Sequence, residues 1–327
     1  MVKFGWLASH ESYQPEDLIN QAVQAENVGF DTVFASDHFH PWVDQNSAAG
    51  FVWSWLGAVA QQTSQVELAT LVTCPLFHYH PALVAQAAAT VDRISNGRFF
   101  LGVGTGENIN EGPMGYEFPS YPERIERMGE ALEIMTRLLA GEKVDAHGKH
   151  YVADKAKLYS PPLSDVDILM AAGGPKSAAF AGANAAGLIT SVKDPIESME
   201  RVIGPFRQAA NEVGNLAPTI VATRWVVWAE DGDEAWEALG SMRGLRAPGR
   251  LEVVDPAVLR ERADKMAREE IINQFTVVST IEQLVDAYTP LVVDIGATHV
   301  SIQVASVEPT ATIDMVSKEL LPELRKL

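Results

Sequence analysis

The sequence predicts an α/β fold, a (β/α)8 TIM barrel in which eight parallel strands alternate with helices. Short apolar segments alternate with amphipathic segments from one end of the 327-residue chain to the other, and eight apolar segments have strand length. These segments are apolar at nearly every position, which is typical of strands buried on both faces of a parallel sheet. No shift in composition and no Ser/Gly-rich linker marks a boundary, so we expect residues 1–327 to form a single domain.

The first half of the chain shows four strand–helix pairs. Apolar residues spaced by three and four positions identify the helices, and Gly29 marks the end of the first. In chain order the predicted elements are strand Lys3–Ser9, helix Pro15–Val28, strand Thr32–Ser36, helix Val52–Gln62, strand Val66–Thr73, helix Ala82–Ile94, strand Phe99–Val103 and helix Tyr121–Leu139.

The second half repeats the alternation with two departures. Residues 143–159 form an excursion, in which His147-Gly148 favours a turn between two short strands. Residues 231–274 are longer than one helix requires, so we expect an insertion after the seventh strand, near the mouth of the barrel. The other predicted elements are strand Asp167–Ala171, helix Lys176–Ala186, strand Leu188–Ser191, helix Pro195–Val213, strand Thr219–Ala229, strand Val300–Val304 and helix Ala311–Lys326.

Composition and charge exclude several classes of protein. The chain carries 25 Lys and Arg against 43 Asp and Glu, a net charge of −18 that opposes binding to nucleic acid or an anionic membrane surface. Salt screens this field beyond about 10 Å, so small anionic ligands are not excluded. The one cysteine, Cys74, excludes a disulfide framework and multi-cysteine metal sites. With no signal peptide or membrane-spanning run expected, the sequence favours a cytoplasmic protein that acts on small molecules.

Polar and glycine residues cluster where four of the predicted strands end. In a (β/α)8 barrel the active site is built from the loops that follow the carboxyl ends of the strands, so residues distant in sequence can share one pocket. The four segments are Ser9–Glu11, Asp37–Trp42, Gly102–Glu107 and Ala171–Pro175. We expect them to meet at one mouth of the barrel.

The segment Asp37-His38-Phe39-His40 allows three interpretations. A His-x-His pair after a strand holds a divalent metal in barrel hydrolases, but the later strand ends lack the further His and Asp ligands, so no metal site is predicted. His38 could instead be a general base, oriented by the carboxylate of Asp37. It could also be a loop histidine held by hydrogen bonds to the backbone.

Two glycine-rich segments each allow a binding and a purely conformational interpretation. The Gly-x-Gly-x-Gly run of residues 102–106 lacks the spacing and the following helix of a dinucleotide-binding fingerprint. Its glycines permit either close approach of a flat ligand or a tight turn without one. The Gly-Gly-Pro run of residues 173–175 precedes an Ala-rich helix, where free N–H groups form either a phosphate cradle or a plain helix start.

Taken together, these motifs resemble those of the luciferase-like barrel superfamily. The resemblance rests on Phe34-Ala-Ser-Asp-His-Phe-His-Pro-Trp42, on Gly102-Val-Gly-Thr-Gly-Glu107 with the downstream Asn110-Glu111, and on Ala171-Ala-Gly-Gly-Pro175. Within the superfamily the match is to the branch that uses the deazaflavin coenzyme F420, which includes sugar-phosphate and secondary-alcohol dehydrogenases. It extends over nearly the whole chain, from Lys3 to the final helix.

The resemblance implies a hydride-transfer enzyme that uses coenzyme F420. By this likeness His38 takes the proton of the substrate hydroxyl while hydride leaves for C5 of the deazaflavin, Glu107 is the acid, and Trp42 lines the pocket. Glu11 matches a pocket carboxylate of the family, although on sequence alone it could equally be a helix N-terminal charge. The family carries a non-proline cis peptide where Leu71-Val72 falls, and its members pair as homodimers. The residues that match its cofactor site are Asp37, Leu71, Val72, Cys74, Gly104, Thr105, Gly106, Asn110, Gly173, Gly174 and Pro175.

The substrate is the open part of this prediction. By the resemblance, three residues occupy the places of the cations that hold a substrate phosphate, namely Lys193, Arg250 and the neutral Gln274. Arginine suits a phosphate through bidentate bonding, so the predicted substrate is a sugar phosphate, oxidised at its C1 hydroxyl to a lactone. If Lys193 and Arg250 are merely solvated charges, the same catalytic residues fit a secondary-alcohol dehydrogenase. An FMN-dependent monooxygenase is the third alternative, disfavoured because the His38 loop and Glu107 suit hydride removal from an alcohol.

Overall fold

A closed parallel barrel forms the centre of the protein, whose computed structural model describes all residues 1–327. The strands are β1 (Lys3–Ala8), β2 (Thr32–Ala35), β3 (Glu67–Thr70), β4 (Phe99–Val103), β5 (Val144–His147), β6 (Val152–Ala156), β7 (Ile168–Ala171), β8 (Gly187–Ser191), β9 (Thr219–Trp228), β10 (Thr276–Val278) and β11 (His299–Ala305). Around the barrel the order is β1, β2, β3, β4, β7, β8, β9, β11 and back to β1, and every pairing is parallel. The predicted (β/α)8 fold is confirmed.

The chain has fourteen α-helices, most of which lie outside the barrel between successive strands. They are α1 (Pro15–Asn27), α2 (Val52–Gln62), α3 (Pro81–Ser95), α4 (Asn108–Glu111), α5 (Tyr121–Leu139), α6 (Pro175–Asn184), α7 (Pro195–Ser198), α8 (Gly204–Glu212), α9 (Gly232–Ala238), α10 (Pro256–Asp264), α11 (Arg268–Ile272), α12 (Ile281–Val293), α13 (Pro309–Met315) and α14 (Leu321–Leu324). Single π-helical turns at residues 199–203 and 316–320 join α7 to α8 and α13 to α14. No helix combines the length and the apolar character needed to cross a membrane.

Burial explains why these segments form these elements. All four residues of β2 and all seven of β11 are buried, including the polar residues His299, Ser301 and Gln303 of β11, so both faces of these strands are covered. α5 buries Met128, Leu132 and Met135, which recur at helical spacing along one face. α3 ends at Asn96, whose φ of 59° is the left-handed conformation that commonly terminates a helix.

Two segments depart from the alternation of strands and helices. β5 and β6 form an antiparallel hairpin, and the segment 231–274 holds α9, α10, α11 and two 3₁₀ turns at residues 243–246 and 250–252. This insertion packs against the mouth of the barrel. At Gly244 a Cβ would lie 1.9 Å from the carbonyl oxygen of Trp42, so only glycine permits that approach. The side-chain amide of Asn108 donates to the carbonyl oxygen of Glu252 at 3.0 Å.

The structure differs from the sequence prediction in several details. The Gly-x-Gly-x-Gly run of residues 102–106, after which no helix is predicted, is followed beyond Glu107 by the four-residue helix α4. β10 and α12 were not predicted; β10 is too short for an alternating pattern to be visible, and it pairs with the end of β9. The third strand ends at Thr70 rather than Thr73. The Leu71–Val72 peptide that follows it is cis, as the resemblance implies.

Candidate active site

A cavity of about 790 Å³ opens at the carboxyl ends of the barrel strands. All four polar strand ends predicted from the sequence contribute to it. The predicted site residues that line it are Glu11, Asp37, His38, Trp42, Leu71, Val72, Cys74, Gly104, Thr105, Gly106, Glu107, Asn110 and Gly173. Gly174 and Pro175 follow at the start of α6 and do not line the cavity.

The loop after β2 holds His38 in one orientation. Its Nδ1 atom lies 3.0 Å from the backbone carbonyl oxygen of His40, and its ring packs edge-on against Trp42 with ring centres 5.1 Å apart. Donation from Nδ1 to that carbonyl leaves Nε2 as the acceptor of the neutral ring. His38 therefore presents the nitrogen that a general base requires.

The side chain of Asn110 fixes the same loop. Its Oδ1 atom accepts from the backbone N–H groups of Phe39 at 3.0 Å and His40 at 3.3 Å. The Nδ1 atom of His40 lies 3.0 Å from the carbonyl oxygen of Val254 in the insertion, so His38 and His40 bond to different carbonyls. No group of three or more His, Cys, Asp or Glu side chains is arranged to hold a metal ion.

Glu107 and Arg250 join the loop after β4 to the insertion. Arg250 Nη1 donates to Glu107 Oε1 at 2.8 Å, and the guanidinium lies 5.4 Å from the centre of the Trp42 ring. About a third of each side chain in the pair is exposed, so solvent moderates its strength. The residue predicted to be the acid is thus in direct contact with a residue predicted to bind the substrate phosphate.

Two carboxylates lie deeper in the cavity. Glu11 is 2% exposed, and it accepts a short hydrogen bond from the Ser36 hydroxyl. Asp37 Oδ2 accepts from the Thr73 hydroxyl at 2.8 Å. Burial raises the pKa of Asp37 to about 6, against the lowering effects of the Thr73 hydrogen bond and the neighbouring His78. Asp37 therefore takes up a proton closer to neutral pH than an ordinary aspartate does.

The sequence did not predict a second acid–base pair in the cavity. His78 Nδ1 lies 2.6 Å from Glu111 Oε2, and the other oxygen of Glu111 is buried without a hydrogen-bond partner. Glu111 belongs to the motif that carries the resemblance, but spacing alone does not distinguish its role from that of Glu107. His78 lies in a loop without periodic pattern, so only the structure shows its position. Burial beside Glu111 raises the pKa of the Cys74 thiol and keeps it protonated.

The lining of the cavity fits a flat heterocycle with a polar edge. At Gly104 a Cβ would lie 2.7 Å from Val72 Cγ2. Glycine therefore lets the loops after β3 and β4 approach each other on one side of the cavity. The oxygens Thr190 Oγ1, Thr223 Oγ1 and Gln303 Oε1 are buried in the lining without hydrogen-bond partners. Since buried polar atoms are normally paired, these three indicate a ligand with polar groups. A deazaflavin ring, with apolar faces and an edge of N–H and C=O groups, meets both conditions.

A second cavity, of about 500 Å³, adjoins the first. The residues that line both are Gly173, Ser191, Trp225 and Leu245. The cations that line the second cavity are Lys193, Arg201, Arg246 and Arg250, accompanied by the acids Asp194 and Glu197. The fold thus brings Lys193 and Arg250 together. Gln274 does not join them, because it lies at the end of α11, where its amide donates to the carbonyl oxygen of Glu270 at 3.2 Å.

The predicted phosphate cradle before α6 is partly engaged by the helix itself. The N–H group of Gly174 donates to Ser177 Oγ at 3.3 Å. A Cβ at Gly173 or Gly174 would meet nothing within 4 Å, so the backbone there faces open space. Gly173 borders both cavities and is the member of the run best placed to contact a ligand.

Known proteins are similar to this chain over its full length. A family model described as luciferase-like monooxygenase matches residues 2–299. The chain is 34% identical to the F420-dependent glucose-6-phosphate dehydrogenase of Segniliparus rotundus, with 100% of this chain and 99% of that protein covered. It is also 34% identical to the F420-dependent glucose-6-phosphate dehydrogenase of Intrasporangium calvum, with 100% of each covered.

One similar solved structure is an F420-dependent secondary alcohol dehydrogenase in complex with an F420–acetone adduct. It matches with a TM-score of 0.92 at 32% identity, covering 99% of this chain and 100% of that one. The barrel, its strand-end motifs and these full-length matches agree with the resemblance seen in the sequence. The chain belongs to the luciferase-like monooxygenase family.

Proposed function

We propose that the chain is a coenzyme F420-dependent oxidoreductase that oxidises the C1 hydroxyl of a sugar phosphate, such as glucose 6-phosphate, to the lactone. The observation that carries this proposal is the cationic cavity beside the cavity that fits the coenzyme ring. The full-length relatives named F420-dependent glucose-6-phosphate dehydrogenase support it. We propose further that the protein works in the cytoplasm and that it forms a homodimer. Light scattering of the purified protein tests the dimer.

The main cavity supplies the contacts for the coenzyme. Bound there, the deazaflavin supplies a ring carbon that accepts hydride and, unlike a flavin, reacts poorly with oxygen. The residues that would hold it are Asp37, Leu71, Val72, Cys74, Gly104, Thr105, Gly106, Asn110 and Gly173.

His38 is the proposed base for the substrate hydroxyl. Its Nδ1–H group is occupied by the His40 carbonyl, so Nε2 accepts the hydroxyl proton as the C1–H bond breaks and the C1–O double bond forms. Trp42 packs against both His38 and Arg250 and shields this side of the pocket from solvent. Glu107 is the second proposed proton-exchanging group, held in place by Arg250.

Lys193 and Arg250 are the proposed phosphate ligands. They line the second cavity, which opens into the first through shared residues, so a sugar phosphate can extend from these cations towards His38. Charged hydrogen bonds to a phosphate also fix the sugar in one register, which determines which carbon meets the base.

A secondary-alcohol dehydrogenase is the alternative, favoured by the TM-score of 0.92 against the structure that bears that name. The same base and the same coenzyme cavity would serve, and the cationic cavity would have no part in the reaction. The two functions differ in the need for phosphate on the substrate.

One assay separates these functions. Purified protein is mixed with oxidised coenzyme F420, and loss of the coenzyme fluorescence is followed on addition of glucose 6-phosphate, fructose 6-phosphate, glucose or isopropanol. We expect rapid loss with glucose 6-phosphate and little with glucose, which lacks the phosphate. Loss with isopropanol alone would favour the alcohol dehydrogenase. No loss with any substrate, together with tight binding of FMN, would favour a flavin enzyme.

A further inference from the structure

The insertion places an arginine in the second cavity to which the sequence motifs assign no role. Arg246 ends the 3₁₀ turn at residues 243–246 and lines the cavity beside Lys193 and Arg250. Gln274, which occupies the third predicted phosphate position, is neutral and lies outside the cavity. The cavity nevertheless has a third cation near the first two.

Counter-ions are unevenly distributed among the cations of this cavity. Arg201 pairs with Glu197 at 2.5 Å, and Arg250 pairs with Glu107 at 2.8 Å. Lys193 and Arg246 form no ion pair, and neither side chain donates a hydrogen bond within the chain. In a protein with a net charge of −18, two unpaired cations that line one cavity indicate an anionic ligand between them.

Packing holds the Arg246 side chain towards this space. Its guanidinium lies 4.6 Å from the centre of the Phe275 ring, and its Nε atom is buried without a hydrogen-bond partner. Phe275 directly follows the neutral Gln274, and its ring supports the guanidinium of Arg246. The turn is anchored at Gly244, which packs against the carbonyl oxygen of Trp42.

The three cations also affect one another. Burial lowers the pKa of Lys193, and the charges of Arg246 and Arg250 lower it further. Burial and the charge of Arg250 likewise lower the pKa of Arg246. An anion bound among them would relieve this repulsion and satisfy the unpaired donors.

We propose that Arg246 is the third cation that binds the substrate phosphate, in place of Gln274. This inference rests on the proposed function and assigns a specificity-determining residue to it. A dianionic phosphate would receive donors from Lys193, Arg246 and Arg250. The coenzyme also carries a phosphate, so the test must distinguish the two sources of the same chemistry.

The test compares Arg246→Gln and Arg246→Lys with the control Lys265→Gln. Lys265 is an exposed cation of the same insertion and lines neither cavity, so the control removes the same charge away from the site. Calorimetry gives the Kd of glucose 6-phosphate, and fluorescence gives the Kd of coenzyme F420. Thermal unfolding of each variant shows whether the fold is retained.

For Arg246→Gln we expect the Kd of glucose 6-phosphate to rise about tenfold or more, because a charged hydrogen bond is lost. The Kd of coenzyme F420 should change by less than about twofold, and Arg246→Lys should recover part of the affinity. Unchanged sugar-phosphate binding would overturn the inference. A loss of coenzyme affinity instead would assign Arg246 to the coenzyme phosphate and also overturn it.

Turnover by the wild-type protein tests the proposed function separately. If the wild type binds glucose 6-phosphate, Arg246→Gln binds it weakly and neither reduces the coenzyme, the dehydrogenase proposal fails while the assignment of Arg246 stands. If the wild type reduces the coenzyme with glucose 6-phosphate and Arg246→Gln binds that substrate equally well, the function stands and the assignment fails.

Discussion

Arg250 and Glu107 are joined across 143 positions of the chain by a hydrogen bond of 2.8 Å. The pair lies where the two cavities meet, since Glu107 lines the first and Arg250 the second. A phosphate that binds Arg250 shares its guanidinium donors with Glu107. One side chain therefore couples anion binding in the second cavity to the carboxylate in the first.

This coupling predicts that substitutions of the two phosphate ligands affect different kinetic constants. Lys193 contacts only the second cavity, so Lys193→Gln should raise KM for glucose 6-phosphate by about tenfold with kcat changed less than about threefold. Arg250→Gln also releases Glu107 and should therefore lower kcat by about tenfold as well. Steady-state kinetics of both variants with glucose 6-phosphate as the substrate measure the difference. Equal kcat values for the two variants would show that the ion pair has no part in turnover.

His38 and His40 are predicted to respond differently to the same substitution. Nε2 of His38 is available in the cavity, so His38→Gln should lower kcat by about 10²–10⁴-fold with little change in melting temperature. His40 bonds to the Val254 carbonyl and does not line the cavity, so His40→Gln should cost about 1 kcal/mol of stability and change kcat little. Parallel kinetics and urea unfolding compare the variants. Similar losses of kcat in both would favour the interpretation of His38 as a loop histidine.

The sequence predicted the barrel and the part of the cavity lining that follows the strand ends, because both depend on local patterns. Apolar runs identify strands, and a closed barrel brings the ends of all its strands to one mouth. Glu11, His38, Glu107 and Gly173 could therefore be placed together from their positions after predicted strands. The cis peptide at Leu71–Val72 was found by resemblance, since no local pattern predicts it.

The arrangement of cations in the second cavity could not be predicted, because it depends on the insertion. Its 3₁₀ turns have no hydrophobic period, so nothing in the sequence indicated that Arg246 lines a cavity or that Arg250 reaches Glu107. Gln274 matches a cation position of the family by resemblance, whereas the end of α11 directs its side chain to the carbonyl oxygen of Glu270. Long-range packing, rather than spacing, determines which charges meet.

Asp37 is predicted to lower the stability of the free protein above pH 6. Its folded pKa of about 6 lies above the ordinary value of 3.8, so the folded state binds more protons than the unfolded state between these values. Stability from this group therefore falls as pH rises through that window. Asp37→Asn should raise stability by roughly 1–2 kcal/mol at pH 8 and by almost nothing at pH 3.5.

Urea unfolding at both pH values measures this difference, and fluorescence titration gives the affinity for coenzyme F420. Since Asp37 lines the coenzyme cavity, we expect Asp37→Asn to weaken coenzyme binding while it stabilises the free protein. A variant that is less stable than the wild type at pH 8 would show that the ionised carboxylate stabilises the fold.

Glu67 is predicted to have the opposite pH dependence at the other end of the barrel. Its carboxylate accepts from Lys3 Nζ at 2.5 Å, from His299 Nε2 at 3.2 Å and from the Thr32 hydroxyl at 3.3 Å. Burial raises the pKa of Glu67, but the hydrogen bonds and charges of His299 and Lys3 outweigh it and hold the pKa at about 2. The ionised carboxylate therefore stabilises the amino-terminal ends of β1, β3 and β11, where Lys3, Glu67 and His299 are the first residues.

Because the folded pKa of Glu67 lies below its ordinary value of 4.5, the stabilisation is complete above pH 4.5 and is lost as pH falls towards 2. Glu67→Gln should cost roughly 2 kcal/mol at pH 7, about the same at pH 5 and clearly less at pH 3. Urea unfolding at these three pH values measures the loss. A loss for Glu67→Gln that stays constant from pH 7 to pH 3 would show that packing of the side chain, and not its charge, stabilises this end of the barrel.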